Sequence, residues 1–348
     1  MRIAIVNDTL IAVEAMRRVL LQAKGHELAW VARDGAEAVK CCAEDTPDLV
    51  LMDLVMPEMD GVEAIRRIMA GSPCAIVVVT ASVNRHCSKV FEALGAGALD
   101  AVNTPTLEHA GANIGTHSLL GKIQTINRLI GNKQDKADDS STPQPQPNFV
   151  PRKRLQLVVI GASAGGPAAV AKVLSKFPPD FPAAIIVIQH VDSQFVDGLA
   201  NWLAYQTPLP VRLAKEGDHP QPGMVLLAGT RNHLVFSGPG TLGYTPYPLD
   251  FPYRPSIDVF FESLGDFWRG DVVGVLLTGM GRDGANGLKT IHDAGHQTIV
   301  QDKATSAVFG MPKAAVELKA ASEVLPIDKI GPRVVTILQQ LSKHNART

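Results

Sequence analysis

The sequence predicts an α/β protein made of two doubly wound parallel-sheet domains joined by a proline-rich linker. Three observations carry that expectation. Short β-branched runs alternate with helical patterns over residues 1–130, the alternation resumes over 154–348, and the stretch between, 131–153, is polar and proline-rich. At 348 residues the chain is long for a single core, and 46% hydrophobic residues suffice for two.

In the first domain Ile3–Val6, Leu28–Val31, Leu49–Met52, Ile76–Thr80 and Leu99–Val102 read as five strands. Val13–Leu21, Ala36–Cys42, Val62–Met69 and Lys89–Leu94 carry apolar residues at three- and four-residue spacing and read as helices. Leu119, Leu120, Ile123, Ile126, Leu129 and Ile130 give one further amphipathic helix. The segment that follows, with prolines at 143, 145 and 147, lacks the apolar surface to order itself and reads as an extended linker. Beyond it Leu157–Ile160, Ala184–Ile188, Val225–Ala228, Val272–Leu277 and Thr298–Gln301 are the best strands, several running into glycine-rich turns. Such a sheet places its site at the strands' carboxyl ends. No internal repeat is visible.

Composition narrows the function. A formal charge of −1, with basic residues spread along the chain, gives no field for nucleic acid or anionic membrane. No run approaches the roughly 20 apolar residues of a membrane helix. Met1 leads straight into a strand, so the expected compartment is the cytoplasm. Cys41, Cys42, Cys74 and Cys87 lack metal-ligand spacing and read as reduced, partly buried thiols.

Asp8, Asp53 and Thr80 fall at the carboxyl ends of the first, third and fourth strands, where oxygen ligands suit Mg²⁺. Singly, each reads equally as a strand-end polar residue capping a turn. The run from Met52 through Asp53, Pro57 and Asp60 to Gly61 resembles the phosphorylation loop of two-component receiver domains, and Ala93–Ala98 resembles their fourth-helix ending. That resemblance implies a flavodoxin-like fold with Asp53 as phospho-acceptor. Asp8, Asp53 and the Val55 carbonyl would be Mg²⁺ ligands, and Thr80 the switch hydroxyl. Two departures stand out. Asn7-Asp8 replaces the usual acidic pair, and Asn103-Thr104-Pro105 carries Thr104 where receivers place lysine, so no cation is available there to pair with an aspartyl phosphate.

Gly161-Ala162-Ser163-Ala164-Gly165-Gly166 follows the strand Leu157–Ile160 and precedes a helix. Its G-x-S-x-G spacing fits a nucleophile elbow, but glycine-rich turns also cradle phosphates or simply turn. His190 at the end of Ile185–Gln189 and Asp283 in the turn Thr278–Gly284 supply a base and its orienter, although each alone reads as a strand-end or capping residue. An α/β-hydrolase would order its triad serine, acid, histidine, whereas this chain runs Ser163, His190, Asp283.

That order resembles the chemotaxis protein-glutamate methylesterases, the CheB-type response regulators. So do the motifs Gly161–Pro167, Gln189-His190, Arg254–Val259, Thr278–Gly284, Gln301–Thr305 and Phe309–Pro312. The resemblance implies a Rossmann-like hydrolase domain that demethylates glutamate γ-methyl esters and deamidates glutamines on chemoreceptors. Ser163 would attack, His190 would shuttle the proton, Asp283 would hold His190, and no cofactor would be needed for hydrolysis. Met280 is the implied oxyanion donor, with Ala164 and Tyr253 at the rim. Ala164 stands where the family commonly has threonine, and Tyr253 where it often has histidine. Ser256 and Asp258 either line that rim or cap the helix starting near Ile257.

The same resemblance implies a methyl-accepting chemoreceptor and a CheA-type histidine kinase as partners. It also implies that the unphosphorylated receiver restricts the cleft around Ser163. Asn7 and Thr104 resemble a Wsp-like branch that serves a surface-sensing, cyclic-di-GMP pathway. The competing reading is a signalling adaptor that binds receptor or kinase without turnover. A dinucleotide-binding enzyme fits less well, because the chain lacks a clean G-x-G-x-x-G.

Overall fold

Runs of Ile, Val and Leu bounded by polar turns form the two predicted sheets in the computed structural model. It describes residues 1–22, 25–80, 87–105, 119–124, 126–127, 155–249, 251 and 253–345. The first sheet contains β1 (Arg2–Val6), β2 (Glu27–Ala32), β3 (Leu49–Met52), β4 (Ala75–Thr80) and β5 (Asp100–Asn103) in the order β2-β1-β3-β4-β5, all parallel. Alternation along each strand sends side chains to opposite faces. Ile3 and Ile5 pack with Val13 and Met16 of α1 (Leu10–Gln22) and with Leu119 and Ile123 of the helical residues 119–124. Ala4 and Val6 face the opposite layer, built by α2 (Gly35–Glu44), α3 (Gly61–Gly71) and α4 (Cys87–Gly95). Asp34 and Asp60 cap α2 and α3 by accepting the N–H groups of Glu37 and Glu63. The linker 131–153, Leu129, Ile130 and the Cys87 side chain lie outside the described residues. Cys41, Cys42 and Cys74 are free thiols.

The second sheet has seven parallel strands: β6 (Gln156–Ala162), β7 (Ala184–Gln189), β8 (Val211–Leu213), β9 (Val225–Leu227), β12 (Asp271–Leu276), β13 (Gln297–Gln301) and β14 (Glu323–Leu325). Their order is β14-β13-β12-β6-β7-β9-β8. The chain winds outward from β6 through β7, then returns to place β12 on the other side of β6. The crevice at the carboxyl end of β6 is therefore the topological switch point. One face is covered by α5 (Gly166–Leu174), α6 (Val196–Gln206) and α10 (Ile327–Asn345), the other by α7 (Ile257–Phe267), α8 (Ala285–Asp293) and α9 (Met311–Glu317). The second face also carries a two-stranded antiparallel hairpin, β10 (His233–Gly238) and β11 (Thr241–Thr245), through Leu234, Phe236 and Leu242.

Sequence patterning missed four of these strands. β8 and β14 are three-residue pieces at the sheet's two edges, too short to show a period. The hairpin pairs the two that remain, β10 and β11.

The two domains meet through α4. Phe91, buried to 1% exposure, lies with its ring centroid 5.8 Å from that of Trp202 on α6. Gly95 approaches α5 so closely that a Cβ there would sit 2.6 Å from the Ala168 Cβ. On the same side Lys122 pairs with Asp100 at 2.7 Å and lies 5.8 Å over the ring of Phe195, just beyond β7.

Candidate active site

The turn after β6 is set by backbone demands. Ser163 N–H donates to the Thr278 carbonyl at 3.0 Å, and Gly166 N–H donates to the Ser163 carbonyl at 2.8 Å. Gly165 starts α5 at φ +72°, a conformation that favours glycine, and a Cβ there would also meet Ala307 at 2.5 Å. Thr278 is locked in turn: its hydroxyl donates to the Ala164 carbonyl at 2.9 Å, and its N–H donates to the buried Gln301 side chain at 2.8 Å. Gly279 lies against the nucleophile turn, since a Cβ there would come within 2.8 Å of the Ser163 Cβ.

Strand register brings in the histidine. β6 and β7 pair Ala162 with Gln189, and His190 N–H bonds the Ala162 carbonyl at 3.0 Å, so Ser163 and His190 emerge side by side. Gln189 closes this edge by donating to both the Ser163 and His190 carbonyls, at 2.8 and 3.0 Å. His190 Nε2 lies 2.7 Å from Asp283 Oδ2, with side-chain exposures of 7% and 6%. His190 Nδ1 is buried and has no hydrogen-bond partner among the described residues.

Asp283 is the most heavily bonded carboxylate of the site. Besides His190 it accepts the Ser256 hydroxyl at 2.8 Å and the N–H groups of Ile257 at 2.8 Å and Asp258 at 3.0 Å, the start of α7. Burial opposes its charge, but His190 and these helix-start N–H groups outweigh that opposition, and its pKa is lowered to about 2. It is therefore an anion, which fixes the proton of neutral His190 on Nε2 and leaves Nδ1 as the basic nitrogen.

Ser256 caps α7 by accepting Val259 N–H at 3.3 Å, so the capping reading holds for it. Asp258 does neither thing expected of it. It is 6% exposed and accepts Gly287 N–H at 2.7 Å, tying α7 to α8. Burial first, and the neighbouring Asp283 charge second, push its pKa up to about 7. Tyr253 stacks face to face on His190, ring centroids 4.3 Å apart at 8°. Burial, with Asp283 and then the receiver's Asp100 adding to it, raises its pKa to about 12. The Ala164 side chain is 3% exposed, so only its backbone can serve the site. Among the described residues no hydrogen bond is made by the N–H groups of Ala164 or Met280.

The other carboxyl edge, in the first sheet, is more open. Asp53 N–H bonds the Val6 carbonyl at 2.9 Å, which sets Asn7 rather than Asp8 directly across from it. Asn7 Nδ2 donates to Asp53 Oδ2 at 2.9 Å, and Leu54 N–H donates to Asp53 Oδ1 at 2.7 Å. Asp8, on the loop after β1, is exposed; Val55, on the loop that carries Asp53, is 49% exposed; and Thr80 is 2% exposed. Thr104 N–H bonds the Thr80 carbonyl at 3.0 Å, so Thr104 stands next to Thr80. Carboxylate and carbonyl oxygens are the donor type that Mg²⁺ takes, and Asp8, Asp53 and Val55 all lie at this edge. Sequence reasoning did not single out His233, Thr278 or Gln301. The last two stood inside motifs it quoted, whereas His233 carried no local signal.

The family model described as CheB methylesterase matches residues 158–334, and that of the response regulator receiver domain matches 3–110. A protein-glutamate methylesterase/protein-glutamine glutaminase of Cupriavidus metallidurans is 57% identical over 96% of this chain and 98% of its own length. One of Pseudomonas fluorescens is 57% identical over 97% and 99%. The catalytic domain of a Thermotoga maritima CheB methylesterase superposes with a TM-score of 0.51 at 33% identity, covering 53% of this chain and 98% of that one.

Proposed function

The chain belongs to the CheB methylesterase family, with a receiver ahead of the methylesterase domain, and from that premise we propose that it hydrolyses glutamate γ-methyl esters on chemoreceptors. It also deamidates selected glutamines by the same route. The boundaries we assign are a receiver over 1–130, a linker over 131–153 and a catalytic domain over 154–348.

One observation carries the chemistry: the buried Nδ1 of His190 has no hydrogen-bond partner among the described residues, while Nε2 is held by Asp283 at 2.7 Å. In the proposed reaction Nδ1 takes the proton of Ser163 as Oγ attacks the ester carbonyl. The oxyanion is met by the N–H groups of Met280 and Ala164. The imidazolium returns its proton to the leaving methoxide, methanol departs, and water attacking the acyl-serine restores Ser163 and yields glutamate. With a glutamine substrate the leaving group is ammonia. Asp283 remains an anion and stabilises the imidazolium.

In the receiver, Asp53 accepts phosphoryl from a CheA-type histidine kinase. Asp8, Asp53 and the Val55 carbonyl would hold Mg²⁺, which when bound neutralises charge on the transferring phosphoryl group. Phosphorylation acts on α4, the helix that joins the halves. No helix among the described residues is long and apolar enough to cross a membrane, and a cytoplasmic enzyme acting on the cytoplasmic part of a receptor fits that.

The test is methanol release from methylated receptor signalling-domain fragments by the full chain and by Ser163→Ala. A loss of about 10³-fold or more in the variant supports the triad. If both proteins are equally inert on receptors from the same cell, the adaptor reading replaces this one.

A further inference from the structure

His233 has no exposed surface, and its two ring nitrogens have separate tasks. Ser256 N–H donates to Nδ1 at 3.0 Å, so Nδ1 must be unprotonated. Nε2 then carries the hydrogen and donates it to the Pro248 carbonyl at 3.1 Å. Burial lowers the pKa of the ring, which favours the neutral form that this arrangement needs. Phe251 adds an edge-on contact with centroids 6.1 Å apart. One imidazole therefore holds both Pro248 and Ser256.

Tyr253 and Ser256 each reach the catalytic histidine. Tyr253 lies on the His190 ring, and Ser256 with the N–H groups that follow it holds Asp283, which holds His190. A buried histidine whose hydrogen bonds are satisfied usually needs no explanation beyond packing. Here its bonds end on Pro248 and Ser256, on either side of Tyr253 in the chain, and Tyr253 stacks on the catalytic ring while Ser256 bonds its partner.

We propose that His233 is a positioning residue for the hydrolysis: as the Nε2-protonated neutral tautomer it holds Pro248 and Ser256 so that Tyr253 and Asp283 keep His190 Nδ1 directed at Ser163. The inference rests on the esterase reading above. It predicts an effect on turnover rather than on substrate capture, because His233 itself touches no substrate. The acceptor bond to Ser256 is the important one, since Ser256 leads to Asp283.

The experiment uses the full chain with His233→Ala, His233→Asn and His233→Gln. Asparagine places an acceptor oxygen near the former Nδ1, and glutamine places a donor nitrogen near the former Nε2. Folding is checked by circular dichroism, kcat and KM are measured on a methylated receptor fragment, and the proton between His190 and Asp283 is followed by NMR. Misplacing catalytic groups by about 1 Å can cost on the order of 10²-fold, so His233→Ala should lose about that much in kcat with KM little changed. His233→Asn should recover most of the loss and keep the His190–Asp283 resonance, and His233→Gln should do neither. A folded His233→Ala with kcat within about threefold of the parent overturns the proposal. So does equal rescue by both amides, and so does a resonance unaltered in every variant. If His233→Ala does not fold, the contrast between the asparagine and glutamine variants decides. An inert parent counts against the esterase reading, and the resonance then tests His233 independently of turnover.

Discussion

Two carboxylates stand at the carboxyl edges of two parallel sheets in this chain, and they are treated in opposite ways. Asp283 is 9% exposed and takes hydrogen bonds from His190, Ser256, Ile257 and Asp258. Asp53 is half-buried, with Asn7 and Leu54 among its donors, on a loop whose neighbours Asp8 and Val55 are exposed. The difference fits the two roles proposed for them. A carboxylate that orients a base works best when saturated and dry, because any loosening lets the imidazole turn. A carboxylate that must itself become a phosphoryl acceptor has to stay within reach of donor and metal. The same sheet edge supplies either environment, depending on whether a helix start is aimed at it.

Breaking the saturated side should have the largest effect. Asp283→Asn offers an amide where Ile257, Asp258 and His190 all donate, and it permits the wrong tautomer of His190. The expected loss in kcat is about 10³–10⁴-fold, read by methanol release, with the fold retained. A loss under tenfold would mean that Asp283 does not set the tautomer. On the open side, Thr104→Lys sharpens the contrast by supplying the missing cation beside Thr80. Stimulation of turnover by a small phosphoryl donor should grow about 5-fold or more, within the usual range of coupling between sites. An unchanged stimulation would show that this receiver signals without a cation at that position.

The junction between the two edges can be tested with one methyl group. Gly95→Ala puts a Cβ 2.6 Å from that of Ala168, and overpacking of this kind costs about 1–3 kcal/mol. Basal turnover without phosphoryl donor should rise several-fold if α4 restrains the catalytic half, and stay flat if it does not.

The smallest effect concerns pH. Asp258 has its folded pKa raised to about 7, so its contribution to stability is fully present below its unfolded value of 3.8 and is lost as pH rises through 7. Asp283, lowered to about 2, has the opposite sign: its contribution is present above 3.8 and is lost only as pH falls toward 2. Asp258→Asn keeps an acceptor for Gly287 N–H and removes the buried charge. Its thermal midpoint should exceed the parent's at pH 8 and match it near pH 4, with about 2–4 °C for each 1 kcal/mol regained. An equal shift at both pH values would assign the gain to packing.

Much of this organisation was legible in the sequence because it is local. The strand-turn-helix at Ser163, the strand ending at His190 and the turn bearing Asp283 each announce themselves within ten residues. Parallel register then places Ser163 beside His190 without further information. His233 was not legible. It opens β10, one of the strands that sequence patterning missed, and its bond to Ser256 spans 23 residues of chain. Asp258 misled for a related reason: its position near a helix start suggested capping, whereas its partner is on the adjacent helix. The docking of α4 against α5 and α6 was equally hidden, since an apolar helix face shows that it will be covered and not by what.

That docking surface gives the two halves a shared thermal character. Phe91 on one side and Trp202 and Ala168 on the other meet through carbon, so separating them would wet apolar surface. Such separation is opposed mainly by entropy near room temperature and grows easier as the solution cools. The grip of one half on the other therefore has a temperature coefficient of its own. In a cold cell the same phosphorylation level would meet a looser partner.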